Sequence, residues 1–317
     1  LPDLNDLPPI DFSLFNKYIH NFNRISISLS RGCPFYCHFC MEKIFQDSDR
    51  RVKAWRAYNP QRAVKEVERM IEYGQGHDIN GYGFYDPTFG LNRRWLDRFL
   101  ARFNQEEELS AAWIETRLDI MNENLIKKLY ENNFYVMYGL ESCDENMLKI
   151  MNKTRNPASY LQKFEQVYQI HRKNDLHFMI NILVAHPGET RESMNRTFDR
   201  LERMVIEDEI DPNMVQNIRY YHHFPGTQVY NKFKSYECQN GARAYLPDWY
   251  KDESKFLLGA YCVRPSSSLS LRKSFELYTE RFKKIERFQA QNIRKSKSPL
   301  SIVNLIKVKQ NMTNLDL

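Results

Sequence analysis

The strongest constraint on this chain is an alternation of strand-like and helix-like segments from Ile25 to about Lys234. Short apolar runs, which predict strands, are followed by amphipathic stretches of about 10 to 15 residues, which predict helices. Such alternation is typical of βαβ units and therefore of a parallel sheet. Since crossover connections are right-handed, the units wind in one direction. We count six units, which predict an α/β fold of the open (β/α)6 partial TIM barrel type.

The predicted strands are bounded by turn signals and helix caps. They cover Ile25–Leu29, Asn80–Phe84, Ala111–Leu118, Phe134–Leu140, His177–Val184 and Met214–His222. Asn59 followed by Pro60 is the clearest helix start, because Asn caps a helix and Pro suits its first position. In barrels of this kind, chemistry lies on the loops that follow the carboxyl ends of the strands.

The alternation does not extend to either end of the chain. Residues 1–23 are rich in Pro and Asp and show neither helical nor strand period, which predicts a linker or wrapping arm. Beyond Tyr236 the alternation stops, and residues 271–290 predict a charged amphipathic helix. The sequence therefore predicts an arm at 1–23, a core at 24–235 and a mainly helical C-terminal appendage at 236–317. Six Lys or Arg and no acid lie between Arg287 and Leu315, a tail that predicts a solvated segment.

Composition excludes several classes of protein. No apolar run reaches the roughly 18 residues that a transmembrane helix needs, and no charged region followed by an apolar stretch predicts a signal peptide. Six cysteines, three of them in one loop, do not resemble a disulfide framework and suit a reducing cytoplasm. The formal net charge of +6 is too modest to imply a nucleic-acid partner.

The loop RGCPFYCHFCM, residues 31–41, follows the first predicted strand. Cys33, Cys37 and Cys40 have the spacing C-x3-C-x2-C, and three thiolates can each hold one iron of a [4Fe-4S] cluster, a site usually closed by four cysteines. The next cysteine is Cys143, so one iron would stay open for substrate, as in catalytic metal sites.

Two other interpretations of the loop stay open on spacing alone. Cys33, Cys37, His38 and Cys40 could form a zinc knuckle, or the cysteines could be buried structural residues. A zinc site usually brings a second pair of ligands about 12 to 20 residues further on. The segment from Cys40 to Trp55 contains no further Cys or His, which favours iron–sulfur.

The cysteine spacing, with aromatic Phe39 just before the third cysteine, resembles the signature of radical S-adenosylmethionine (SAM) enzymes. In that family SAM chelates the open iron through its amino and carboxylate groups, and an electron from the cluster cleaves SAM to a 5′-deoxyadenosyl radical. The N-terminal arm resembles the segment that follows the cobalamin-binding domain in the cobalamin-dependent subclass. The resemblance implies that such a domain would lie upstream of Leu1.

Further positions match residues that the family uses around SAM. The segment YDPTF at 85–89 occupies the place of the second-strand motif, which implies that Asp86 helps to position the SAM amino group. In WIETRLD, the resemblance assigns Glu115 to the amino group and Arg117 to the carboxylate. Alternation along a strand would place both on one face. The alternatives are an Asp-Pro turn and a buried Glu115–Arg117 ion pair.

Later strand ends continue the resemblance. GLES at 139–142 with DENMLKIMNK after it implies that Glu141 faces the ribose or methionine end of SAM. Asn181 falls at a polar ribose contact, and FPGT at 224–227 matches a motif that packs near adenine. VAHPGET at 184–190 departs from the family pattern at Ala185 and His186, and His186 is interpreted as a turn histidine rather than an active-site group.

Some cysteines fall outside the signature. Cys143 stands where the family has a small residue and could line a substrate cavity, although free buried cysteines are commonly inert. Cys238 and Cys262 are too few for a second cluster, so the sequence predicts none.

Taken with the resemblance, the motifs imply a radical SAM enzyme in which Cys33, Cys37 and Cys40 carry the catalytic cluster. The implied cofactors are a [4Fe-4S] cluster, SAM and cobalamin, and the implied reaction is methylation of an unactivated carbon. Radical rearrangement or cyclisation without methyl transfer is the alternative, and a zinc-binding interaction module is a third hypothesis. The expected partners are a small-molecule or peptide substrate and an electron donor such as flavodoxin or ferredoxin, with neither membrane nor nucleic acid.

Overall fold

The computed structural model describes residues 3–47, 54–79, 81–103, 112–215, 217–255 and 261–292. The strands formed by these residues are β1 Arg24–Ile27, β2 Ser30–Arg31, β3 Arg56–Ala57, β4 Gly81–Phe84, β5 Ala112–Thr116, β6 Phe134–Glu141, β7 Phe178–Val184, β8 Ile218–Tyr220, β9 Arg243–Ala244 and β10 Val263–Arg264. The α-helices are α1 Glu42–Asp47, α2 Pro60–Gln75, α3 Arg93–Leu100, α4 Glu123–Tyr130, α5 Glu145–Ile150, α6 Pro157–Lys173, α7 Arg191–Ile206, α8 Gln228–Asn231, α9 Phe233–Asn240 and α10 Leu271–Asn292.

Six of these strands form one sheet in the order β1-β4-β5-β6-β7-β8. The pairs β1–β4, β4–β5, β5–β6 and β7–β8 are parallel, and helices lie between successive strands along the chain. The predicted open (β/α)6 partial barrel is therefore confirmed. Asn59 caps α2 by accepting from the Arg62 N–H, with Pro60 at the first helical position, as the sequence predicts.

The chain divides into two compact units. The first unit comprises residues Leu1–Tyr36, Glu42–Leu140 and Ser159–Met179. Its centre holds stacked and tilted aromatic rings, among them Phe84, Phe89 and Phe134, with ring centroids 5.6 to 5.7 Å apart. All three side chains are almost fully buried. Each such burial is worth roughly 1.5–3 kcal/mol, so this cluster is a main source of the unit's stability.

The second unit comprises residues Cys37–Met41, Glu141–Ala158 and Ile180–Leu317. Here α10 is joined to α7 by Arg281, which donates to Asp199 and Glu202 at 2.5 Å each. Lys284 reaches the other oxygen of Glu202 at 2.5 Å. Because Glu202 is nearly buried, its two cationic partners compensate a carboxylate that would otherwise be costly to desolvate. The predicted segment boundaries at residues 23 and 235 stay a prediction.

The sixth strand of the sheet is shorter than predicted. The sequence predicts strand over Met214–His222, whereas β8 covers Ile218–Tyr220 and residues Pro212–Val215 form a 3-10 helix. Pro212 fixes its φ near the helical value and suits the first turn of a helix, which the apolar pattern of the segment does not reveal. Beyond Tyr236, where the alternation stops, β9 pairs antiparallel with β10. Two-residue strands are too short to show a period.

The N-terminal arm is built from 3-10 turns, Leu4–Asp6, Phe12–Phe15 and Ile19–Asn21. Asp3 caps the first and Asp11 the second, each by accepting a backbone N–H two residues ahead. The sequence predicts no helical or strand period for this segment. Local side-chain caps explain why short turns form without one.

Arg62 and Glu66 of helix α2 form hydrogen bonds to the arm. The Arg62 guanidinium donates to the backbone oxygens of Asn5 at 2.6 Å and Pro8 at 2.9 Å. It also pairs with the buried Glu66 at 3.2 Å, and Glu66 accepts the Ile10 N–H at 3.2 Å. The arm is thus docked along α2 rather than separate from it.

Parts of the predicted tail and of two predicted strands fall outside the residues that the structure describes. The basic tail beyond residue 292 lies outside them, as do Asn80 and Ala111 at the starts of two predicted strands. Among the helices that are described, none combines the length and the apolar character needed to cross a bilayer.

Replacing Arg62 by Met tests the docking of the arm. The change removes hydrogen bonds to two arm carbonyls and one cationic partner of buried Glu66, so the free energy of unfolding should fall by about 1–3 kcal/mol. Urea unfolding measures this fall. Arg98→Met, at an exposed position of α3, is the matched control and should change the stability by less than about 0.5 kcal/mol. Equal stability of the two variants would show that the hydrogen bonds from Arg62 to the arm contribute nothing to the stability of the fold.

Candidate active site

The segment leading into the cysteine loop is held by a buried carboxylate. Asp86, which follows β4, accepts the Leu29 N–H at 3.2 Å and both the N–H and the hydroxyl of Ser30 at 2.5 Å. Burial raises the pKa of Asp86 to about 6, so the group is a carboxylate at neutral pH. Because its oxygens face these donors, Asp86 fixes the backbone that precedes Cys33.

Two further contacts shape the loop in the first unit. Gly32 has φ of 89°, a left-handed conformation that favours glycine, and its N–H donates to Glu42 at 2.9 Å. Burial raises the pKa of Glu42. The Cys33 Sγ lies 3.3 Å from the Thr88 hydroxyl, so the residue after Pro87 contacts the first thiol directly.

Arg117 lies just after β5 and is buried. Its guanidinium stacks 3.8 Å from the centre of the Phe35 ring and forms a bidentate pair with Asp119 at 2.8 and 2.9 Å. Glu115, by contrast, is exposed, and its carbonyl accepts the Phe89 N–H at 2.9 Å. The two residues predicted to act together therefore differ in burial, and Asp119 is an ion-pair partner of Arg117 that the sequence prediction does not include.

The second part of the loop belongs to the second unit and is anchored through His38. The His38 N–H donates to the Met151 carbonyl at 2.9 Å, and the His38 carbonyl accepts the Val229 N–H at 3.1 Å. Its Nδ1 lies 3.1 Å from the Tyr236 hydroxyl. Burial lowers the pKa of His38 and raises that of Tyr236 to about 12, so the hydrogen bond joins two uncharged groups at neutral pH. His38 therefore positions the turn in which the Cys40 N–H bonds the Cys37 carbonyl.

Glu141 ends β6 and is held in a strained conformation. Its φ is +70°, unusual for a residue with a side chain, and such strain is concentrated at functional positions. The carboxylate pairs with Lys153 at 2.9 Å, and both residues are less than 10% exposed. Segment 139–153 resembles the family pattern, and its first acidic residue, Glu141, thus contacts its last basic residue, Lys153.

The loop after β7 carries another buried carboxyl group, that of Glu189. Glu189 accepts the Ala185 N–H, and Ala185 has a left-handed φ of 59°. Burial raises the pKa of Glu189 to about 8. His186 is fully buried, and its Nδ1 bonds the Pro187 carbonyl at 2.8 Å, whereas its Nε2 finds no hydrogen-bond partner among the described residues. The interpretation of His186 as a satisfied turn histidine thus holds for one ring nitrogen only.

Two other predicted site residues, Asn181 and Phe39, also belong to the second unit. Asn181, in β7, accepts a hydrogen bond from Asn217. The Phe39 ring packs against the cluster formed by Tyr221, Val229 and Trp249 and meets His186 edge-on at 6.4 Å. Phe39 is therefore partly buried against the hydrophobic core of this unit.

The cysteines outside the signature differ in exposure. The Cys143 N–H donates to Thr197 at 3.1 Å, and the side chain is half-buried. Cys238 is exposed, whereas burial raises the pKa of Cys262 to about 12. A thiol with such a pKa is not a thiolate at neutral pH and is a poor metal ligand.

The donor set in the loop fits an iron–sulfur cluster. Cys33, Cys37 and Cys40 are thiols rather than half-cystines and lie on one short loop, and thiolates are the ligands that iron–sulfur clusters require. In the part of the chain that the structure describes, no three His, Cys, Asp or Glu side chains already surround a common point. The fit therefore rests on ligand type and on the fixed backbone beside each thiol.

Comparison with known proteins defines the class. The model of the Radical SAM superfamily matches residues 27–201, which is more than half of the chain. The chain belongs to the radical SAM superfamily. This membership favours iron–sulfur over the zinc module that spacing alone left open, and in this family it implies SAM and a [4Fe-4S] cluster.

Individual relatives are more distant. An uncharacterized methyltransferase of Pyrococcus horikoshii is 28% identical over 205 residues, which cover 63% of this chain and 42% of that protein. The bacteriochlorophyllide d C-8(2)-methyltransferase of Chlorobaculum tepidum is 23% identical over 257 residues, 79% of this chain and 53% of that protein. The chain thus spans about half the length of these curated relatives.

A solved structure shares the fold. The cobalamin-dependent SAM radical enzyme OxsB, with aqua-cobalamin bound, superposes with a TM-score of 0.61 at 12% identity, over 98% of this chain and 49% of that chain. At this identity the likeness concerns the fold, and it agrees with the open partial barrel described above.

Sequence reasoning missed several residues that hold the site together. Thr88, Asp119 and Lys153 each contact a predicted site residue, yet the sequence prediction includes none of the three. Lys153 could have been predicted, because it is the last residue of the segment that begins at Gly139 and resembles the family pattern. Thr88 and Asp119 gave no signal beyond their closeness in sequence to Asp86 and Arg117.

The variant Asp86→Asn distinguishes between two roles of Asp86, support of the loop backbone and direct contact with SAM. An amide nitrogen cannot accept the N–H or O–H groups that now face the carboxylate, so the variant should lose about 1–3 kcal/mol of unfolding free energy and retain less iron after reconstitution. SAM affinity per cluster, measured by equilibrium dialysis, should stay unchanged. Asp97→Asn, at an exposed site, is the control. Normal iron content with weakened SAM binding would instead make Asp86 a direct SAM contact.

Glu141→Gln tests the predicted contact of this carboxylate with SAM. Loss of one charged hydrogen bond worth about 1.5–3 kcal/mol should weaken SAM binding at least tenfold. The single change also strands buried Lys153, so stability should fall as well.

The double variant Glu141→Gln/Lys153→Met separates these two effects. Stability should recover in part, because no unpaired buried charge is left, while SAM affinity stays low. Recovery of SAM affinity together with stability would return Glu141 to a purely structural role.

Proposed function

We propose that Cys33, Cys37 and Cys40 bind a [4Fe-4S] cluster and that the natural protein uses SAM and cobalamin to methylate an unactivated carbon. The observation that carries the proposal is a cysteine loop whose backbone is fixed beside each thiol in a chain of the radical SAM superfamily. When bound and reduced, the cluster supplies the electron that cleaves SAM.

The chain's own residues would bind and orient the reactants. Asp86 and His38 hold the loop backbone, so the thiols need little rearrangement to bind iron. Arg117 is pre-oriented by Asp119 and Phe35 to meet a carboxylate, and Glu141 by Lys153 to meet a polar group of SAM. Glu115 and Asn181 are proposed as further contacts to SAM, and Phe39 as an apolar contact beside the third cysteine.

Methyl transfer with cobalamin is supported by the relatives. Two curated relatives carry the name methyltransferase, and OxsB, which has the same fold, binds cobalamin. We propose residues 24–235 as the catalytic core and 236–317 as an appendage, and the arm at 1–23 as the connection to a cobalamin-binding domain in the natural protein. A reduced flavodoxin or ferredoxin would supply the electron, and the substrate would be a small molecule or a peptide.

The test compares the longest natural chain with the present 317 residues after anaerobic reconstitution. Both should cleave SAM when reduced. The natural chain should bind hydroxocobalamin stoichiometrically, seen in its visible spectrum, whereas the shorter piece should bind it at least tenfold more weakly. With deuterated SAM methyl groups, mass spectrometry of an extract treated with the natural chain should reveal a deuterated methyl product.

Two outcomes would contradict parts of the proposal. A natural chain that binds no cobalamin and transfers no methyl group, yet cleaves SAM, would replace methylation by rearrangement or cyclisation. Absence of SAM cleavage in a preparation with a full iron complement would contradict the radical function itself.

A further inference from the structure

A cavity of about 410 Å³ lies in the second unit, around the carboxyl end of β8. Five successive residues from Ile218 to His222 line it, and Leu183 of β7 lines it beside Arg219. Cavities of about 300–1,000 Å³ are typical of small-molecule sites. The cavity is therefore large enough for a ligand rather than for water alone.

Aromatic rings that hold each other in place form one wall. Tyr220 lies 5.0 Å from Tyr261 and 5.7 Å from Tyr278, centroid to centroid. The Tyr220 hydroxyl bonds Ser274 at 2.6 Å, and the Tyr278 hydroxyl donates to the Ile218 carbonyl at 3.4 Å. Rings fixed in this way offer flat apolar surface at little entropic cost on binding.

A second wall is equally ordered. His222 stacks on Phe224 with centroids 4.2 Å apart and an angle of 7° between the rings. The Tyr221 hydroxyl lies 3.0 Å from His223 Nδ1, which fixes that ring as well. Burial lowers the pKa of His222 to about 4, so this wall is neutral at pH 7. Flat, neutral rings in both groups of lining residues favour a planar aromatic guest.

Arg219 is the one group of fixed charge among the residues that line the cavity. It is exposed, and within the described residues no carboxylate bonds to its guanidinium. It acts electrostatically on the two phenols beside it, since its charge opposes the burial that raises the pKa of Tyr261 and Tyr278. An arginine without an acidic partner beside aromatic walls is suited to a carboxylate.

The cavity also adjoins the cysteine loop. Phe39, the residue before Cys40, lines it. A guest between these walls would thus lie against the residue next to a proposed cluster ligand. This position connects the cavity with the proposed radical chemistry.

We propose that this cavity binds the substrate of the enzyme and that the substrate is a planar aromatic molecule with a carboxylate, its rings between the tyrosine and the His222–Phe224 walls and its carboxylate on Arg219. That the guest is the substrate rests on the proposed function. That the cavity binds an aromatic carboxylate rests on the cavity alone.

Binding of 2-naphthoate to the full 317-residue chain tests the proposal, measured by isothermal titration calorimetry. Two matched probes isolate the contributions: 2-naphthamide has the rings without the charge, and decahydronaphthalene-2-carboxylate has the charge without the aromatic rings. Each should bind at least tenfold more weakly than 2-naphthoate. Arg219→Gln should weaken 2-naphthoate binding at least tenfold, and Arg219→Lys should restore only part of it. Arg243→Gln, which changes an exposed arginine of the same unit outside the cavity, should bind normally.

The outcomes separate this inference from the proposed function. Failure to bind 2-naphthoate, equal binding of all three probes, or normal binding by Arg219→Gln would overturn the inference. Displacement of 2-naphthoate by SAM would also overturn it, because the cavity would then be a cofactor site. Selective, Arg219-dependent binding in a protein that fails to cleave SAM would support the aromatic carboxylate site while contradicting the radical function.

Discussion

The structure depends on holding a loop of three thiols in place before any metal binds. Phe35 and Phe39 give this short loop some apolar contacts, and hydrogen bonds from its surroundings fix its backbone. Asp86 supplies them before Cys33 by accepting three donors from Leu29 and Ser30. His38 supplies them between Cys37 and Cys40 through both backbone groups and its ring. Asp86 lies in the segment after β4, and the partners of His38 lie in the segments after β6 and β8. The fold can therefore hold the cysteine loop with residues that follow its strands.

The same principle explains the buried charges around the strand ends. An ionised group that loses its water costs free energy unless a partner compensates it, and such groups are retained mainly where they serve a function. Glu141 with Lys153 and Arg117 with Asp119 are compensated pairs of this kind. Glu141 and Ala185 also adopt left-handed backbone conformations at the ends of β6 and β7. Strain and a buried charge therefore coincide at Glu141, at the end of β6.

Much of this could be predicted from the sequence, because the relevant signals are local. The period of apolar residues predicted the parallel barrel and Asn59-Pro60 marked the start of α2, both of which the structure confirms. The assignment of the cysteine loop to a cluster stays a prediction. Pairings across the fold could not be predicted, since they depend on which side chains the tertiary structure brings together. The pairing of Lys153 with Glu141, the role of His38 as an anchor rather than a zinc ligand candidate, and the start of β8 after the turn at Pro212 are of this kind.

The most direct test of the account is electron paramagnetic resonance of the reduced, anaerobically reconstituted protein, with iron counted in the same sample. The wild type and Cys238→Ala should contain four irons and show a [4Fe-4S]⁺ signal that shifts when SAM is added, because thiolate ligation by the loop leaves one iron open. Cys33→Ala, Cys37→Ala and Cys40→Ala should each lose both the iron and the signal. A Cys37→Ala protein that keeps four irons and the SAM-dependent shift, or a wild type that binds zinc and no iron, would contradict the assignment of the loop.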